Sequence, residues 1–173
     1  TAFDRSTYGN HGNLSNSTAA TCVTTGAGPC PQWTADKFGQ GLKFDGIGDY
    51  VNVNVSVGSI PLATQDLTVM AWIKADGTQS SGERVGIVSF NPSTSDRNIN
   101  IWELNIHATN RQLRAAICDP AGCSPYADVN AGPALNDSSW HHVVMTWDAN
   151  VALSAYVDGA LIGTDTAFSG TLS

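Results

Sequence analysis

The stretch from Trp140 to Thr164, W-H-H-V-V-M-T-W-D-A-N-V-A-L-S-A-Y-V-D-G-A-L-I-G-T, restricts the fold more than any other part of the chain. From Trp140 to Trp147 it is β-branched and aromatic, and it breaks at Asp148-Ala149-Asn150, residues that close turns. Leu153, Ala155 and Val157 then alternate with Ser154 and Tyr156, the period of a strand with one buried face. Asp158-Gly159 supplies the two positive-φ positions of a type I′ turn, and Ala160 to Gly163 starts the return strand. The pattern predicts a three-stranded meander. Its first strand runs Val143, Val144, Met145 without a polar break, which predicts cover on both faces and a central position, with Trp72, Val144 and Tyr156 near the core.

Short runs of the same kind recur elsewhere. Gly41 to Phe44 leads through Asp45-Gly46-Ile47-Gly48-Asp49 into the alternating Tyr50 to Val55. Leu67 to Lys74, apolar almost throughout, predicts another central strand. Val85 to Phe90, Asn98 to His107 with a bulge near Ile101, Gln112 to Cys118 and Tyr126 to Val129 complete the set, while the polar Thr1 to Ser17 reads as loop. No window of about twelve residues carries a helical stripe. The fold class is therefore all-β, a sandwich of two antiparallel sheets in preference to a closed barrel.

Charge excludes one class of partner. Eight Lys and Arg stand against fifteen Asp and Glu, a net charge of -7, so the clustered cations that nucleic acid requires are missing. No apolar run is long enough to span a bilayer as a helix. At 173 residues the chain suits one domain. The four cysteines form two close pairs, Cys22/Cys30 and Cys118/Cys123, each enclosing Gly and Pro turn formers. Local disulfides in an oxidising compartment are the simplest reading; the rival is one Cys₄ zinc site, for which neither spacing is usual.

Three stretches together carry a family resemblance: W-H-H-V-V-M-T-W-D with A-Y-V-D-G-A-L-I-G-T, D-R-S-T-Y-G-N-H-G at Asp4 to Gly12, and K-F-G-Q-G-L-K-F-D-G-I-G-D-Y-V at Lys37 to Val51. In this order they resemble laminin-G-like domains of the concanavalin A-like lectin/glucanase superfamily, in the short variety of bacterial and archaeal surface proteins. The resemblance implies a jelly-roll sandwich and a structural calcium ion at Asp4 and Asn10, with Asp45 and Asp49 as further oxygen ligands. An Asx-turn cluster without an ion is the alternative for the same residues. It also implies terminal strands for which Thr1–Ser173 has no room. The expectation is one laminin-G-like domain, either a piece of a longer one or completed by a strand from a neighbouring chain.

Glycoside hydrolases of this superfamily need two carboxylates flanking the scissile bond. The chain has two glutamates, Glu83 and Glu103, and no E-x-D-x-E, so the expectation is a non-catalytic protein. His141 and His142 point to opposite faces of a strand and cannot chelate one metal together, and the resemblance makes them structural. Trp33 falls at a packing position of the family, which leaves Trp102 and Tyr126 as the aromatic candidates for a ligand surface. The function expected is a lectin-like module of an extracellular or cell-surface protein that binds a glycan or another protein. A self-assembling filament or pilus subunit is the alternative, and a glycosidase is third.

Overall fold

Backbone hydrogen bonding joins the strands into sheets, and alternating burial tells the inner face of each from the outer. The computed structural model describes residues 1–17, 22, 30–53, 65–77, 84–90, 102–118, 126–149 and 151–166. They hold twelve strands and no helix. The chain divides into two units, Thr1–Ile60 and Pro61–Ser173.

The first unit contains β1 (Gly12–Asn16), β2 (Gln32–Asp36), β3 (Gly39–Lys43) and β4 (Asp49–Val53). β1 pairs antiparallel with β4, Leu14 opposite Val51, and β2 forms a hairpin with β3. The strand β1 lies inside the segment expected to be loop: its polar sequence hides a strand held by backbone pairing, with Asn16 buried at its end. Among the described residues of this unit no large apolar side chain is fully buried.

The second unit carries two four-stranded antiparallel sheets. One has the order β12 (Ala160–Asp165), β11 (Ala152–Val157), β10 (Trp140–Asp148), β5 (Leu67–Lys74). The other runs β6 (Val85–Phe90), β7 (Trp102–Ile106), β8 (Gln112–Cys118), β9 (Tyr126–Ala134) as a simple meander. β11 and β12 pack over β8 and β9, so the inner faces make a sandwich core. Val143, Met145 and Trp147 enter it from β10, Leu153, Ala155 and Val157 from β11, and Leu104, Leu113 and Ile117 from the opposite sheet. Each large apolar side chain so buried contributes about 1.5–3 kcal/mol before entropy is counted.

The predicted meander β10-β11-β12 is present, and its Asp158-Gly159 turn has φ of 51° and 82°. Where β11 meets β12 the register shifts between Ala155 and Tyr156. Gly163 sits there so close to β9 that a Cβ would lie 2.8 Å from Val129 Cγ1, which explains the missing side chain. Two expectations are corrected. β10 has one buried face, not two, and Trp72, Val144 and Tyr156 lie on the other, with Trp72 42% exposed. β5 stands at the end of its sheet, exposing every second residue, and is not central among the described strands. In both strands a nearly unbroken apolar run carries no phase, so the facing sheet decides which half is buried. The bulge expected near Ile101 lies outside the described residues.

Candidate functional site

The residues proposed for calcium form hydrogen-bonded turns. Asp4 accepts the Ser6 N–H on Oδ1 (2.7 Å), and on Oδ2 both the Ser6 hydroxyl (2.8 Å) and the Asn10 N–H (2.7 Å). The Ser6 side-chain bond first, then the two backbone donors, hold the Asp4 carboxyl below its usual range. Asp45 caps the Ile47 N–H (2.7 Å); Asp49 accepts the Asp45 N–H (3.0 Å) and the Asn16 amide (2.9 Å). Asp4 and Asp45 thus form Asx turns, while Asp49 ties the Asp45 loop to Asn16 of β1. Among the described residues no three acidic, histidine or cysteine side chains gather as a metal group.

Cys22 and Cys30 are bonded, with sulfurs 2.11 Å apart. Cys118 is also disulfide-bonded; Cys123 lies outside the described residues. The two aromatic candidates part company. Trp102, 6% exposed, points inward from β7 and stacks on Phe90 with ring centroids 6.0 Å apart, so it has no face left for a ligand. Its place on the inner row follows from its partner Ile117, itself buried. Tyr126 is 60% exposed at the start of β9. Trp33, expected to pack, is half-exposed on β2.

Two arrangements went unread in the sequence. On the outward side of β7, β8 and β9, Arg114 donates from Nε and Nη2 to Asp128 Oδ2 (2.9 and 2.6 Å) and pairs with Glu103. Arg84 reaches the same Glu103 at 3.3 Å. All three members of the Glu103–Arg114–Asp128 ladder are mostly withdrawn from solvent. Alternating charges on neighbouring strands are its sequence signal, but register must be known before they line up.

On the other sheet, His141, in phase with the buried row Val143, Met145 and Trp147, is clasped between two aspartates at the β10 entrance. Its Nδ1 lies 2.8 Å from Asp158 Oδ2 and its Nε2 3.1 Å from Asp137 Oδ1. Asp158 also accepts the His142 N–H at 2.8 Å, which ties the turn after β11 to β10. Burial alone would lower the His141 pKa, but the bonds from Asp158 and Asp137 outweigh it and raise it. Both aspartates are held below their usual range: Asp158 by His141 and then His142, Asp137 by the Ser139 N–H and then His141.

On the outward face of the same sheet, Trp72 lies against His142 with ring centroids 5.1 Å apart. Met70, Val144, Tyr156 and Leu161 follow as one row across four strands, each the partner of the next. Met70 is 64% and Leu161 57% exposed. The next row, Thr68, Thr146, Ser154 and Thr164, is all hydroxyl, with Ser154 Oγ and Thr164 Oγ1 3.0 Å apart.

Comparison with known proteins gives two findings. Residues 45–173 match a laminin G family of the Concanavalin A-like lectin/glucanases superfamily. The fold is similar to the crystal structure of the binding domain of Paraclostridial Mosquitocidal Protein 1, with a TM-score of 0.64 at 16% identity. That likeness covers 92% of this chain and 37% of the other. No curated protein sequence matches.

Proposed function

This chain belongs to the laminin G family of the concanavalin A-like lectin/glucanase superfamily, and we propose from that premise that it is a non-catalytic, lectin-like binding module of a secreted or cell-surface protein. Its ligand is a glycan or an extracellular protein. The observation that carries this reading is the outward face of β5, β10, β11 and β12, where aromatic and apolar side chains stay exposed next to a row of hydroxyls. Ligand surfaces combine apolar contact with a few orienting polar groups. The Cys22–Cys30 bond supports an oxidising compartment.

The charge ladder argues against glycoside cleavage. Such cleavage needs two carboxylates free to flank the scissile bond, whereas Glu103 and Asp128 are both engaged with Arg114. A glycan array of the whole chain, with and without EDTA, tests the reading: retained spots support it, their loss on chelation would bring calcium back, and an empty array with a protein ligand found instead selects the protein branch. Exposed Phe3, Tyr8, Phe38 and Ile47 in the first unit favour the second reading, self-assembly into a filament, and sedimentation at rising concentration tests that.

A further inference from the structure

The row Met70–Val144–Tyr156–Leu161 has a shape as well as a composition. Strands in a sheet lie about 4.8 Å apart and same-face neighbours along a strand about 6.7 Å, so the row is roughly 14 Å long and one side chain wide. A hydroxyl row bounds it on one side and a row that mixes an aromatic with polar groups on the other. Thr68, Thr146, Ser154 and Thr164 form one, and Trp72, His142 and the Asp158 turn form the other.

We propose that this face binds a neutral oligosaccharide laid across the strands, roughly two or three pyranose rings long on the strand spacing, with Trp72 and Tyr156 as stacking surfaces. The proposal rests on the lectin-like reading above and narrows it to one face and one ligand class. A pyranose ring has an apolar C–H face rimmed by hydroxyls. The C–H face meets the aromatic and aliphatic row; the rim reaches the threonine and serine hydroxyls on one side and the His142 ring on the other. A protein partner fits less well, because a stable interface needs about 800 Å² on each side and a strip one side chain wide offers less. An anionic sugar fits less well too. Such ligands are held by arginine forks, and Arg84 and Arg114 are turned to Glu103 and Asp128 on the other sheet; this face offers instead Lys74, a point charge beyond Trp72 on β5.

The test is calorimetric titration of the whole chain with a panel of neutral tri- and tetrasaccharides of glucose, galactose, mannose and N-acetylglucosamine, with a sulfated and a sialylated member beside them. Trp72→Ala and Met70→Ser, both at exposed positions, probe the face, and Tyr126→Ala on the other sheet is the control. Melting curves accompany each variant, and Met70→Ser decides if Trp72→Ala loosens the fold. The expected result is binding of a neutral member that Trp72→Ala weakens at least about tenfold, Met70→Ser weakens severalfold and Tyr126→Ala leaves unchanged. Binding that survives Trp72→Ala, or that is lost in Tyr126→Ala, overturns this face while leaving the lectin-like reading intact. Preference for the charged members overturns the ligand class, and a wild-type dimer abolished by Trp72→Ala assigns the row to a second copy. If no member binds the wild type, the proposal falls and the glycan branch of the lectin-like reading falls with it, while its protein branch stands.

Discussion

Replacing His141 by alanine separates charge from packing at the β10 entrance. Two carboxylates face the two ring nitrogens, and only the imidazolium donates to both; the neutral ring satisfies one and turns a lone pair toward the other. The raised His141 pKa means that its contribution is fully present below about pH 6.5 and fades as pH rises through the folded value. The lowered Asp137 and Asp158 pKa values act at the other end, with stability present above about pH 3.9 and lost as pH falls. The clasp is therefore strongest between about pH 4 and 6.5. A hydrogen bond to a charged partner contributes about 1.5–3 kcal/mol, and because the Asp158 side chain is 49% exposed the low end applies. His141→Ala is then expected to cost about 1–2 kcal/mol at pH 5.5, a fall in Tm of about 3–6 °C for a chain of this size. The assay is thermal unfolding of wild type and variant from pH 5 to 9. The difference should shrink toward pH 9, and Asp137→Asn, whose amide can donate to a neutral ring, should flatten it. An equal loss at pH 5.5 and pH 9 would refute the argument, because packing alone would then explain it.

Other expectations follow from the same coordinates. Changing both Cys22 and Cys30 to serine should cost about 2–3 kcal/mol by freeing a short loop in the unfolded chain, read as a lower denaturation midpoint. Arg114→Met should destabilise by about 3 kcal/mol, since Asp128 loses its cation while remaining largely withdrawn from water; a melting temperature equal to wild type would show the ladder to be inert. Millimolar calcium should leave the melting temperature unchanged, because the Asp4 oxygens already accept Ser6 and Asn10 donors. A site filled at a hundred times its Kd would add about 2.7 kcal/mol, so an upward shift of several degrees would show that those turns rearrange around the ion.

What could be read in advance was whatever local chemistry specifies. Asp158-Gly159 declares its turn, and Leu153, Ala155 and Val157 declare their buried face because Ser154 and Tyr156 interrupt them. Phase was lost where the interruption is missing. Val143, Val144 and Met145 are equally apolar, and only contact with the opposite sheet buries the first and third. Trp72 points outward for the same reason, whereas the inward place of Trp102 is legible, since Glu103 and Asn105 interrupt the row it forms with Leu104 and Ile106. The His141 clasp was invisible for a different one: Asp137 and Asp158 reach it from both sides of two strands, and no spacing rule links three such positions. Asp4 and Asn10 were correctly paired as neighbours, but a residue list cannot distinguish a carboxylate waiting for an ion from one that caps its own loop.

The two four-stranded sheets close by different routes, which bears on the order of assembly. β6 to β9 join consecutive strands, as do β10 to β12, so these pairings form between near neighbours and cost little loop entropy. β5 is the exception: Lys74 meets Trp140 and Leu67 meets Trp147 only after the whole β6–β9 meander has been looped out. Until then β10 presents Val143, Val144 and Met145 along a bare edge, where an apolar strand can pair with the wrong chain. Pulse-labelling hydrogen exchange during refolding should find the β10 amides that face β5 protected last. Protection of those amides together with the β10–β11 hairpin would show that the long loop closes first.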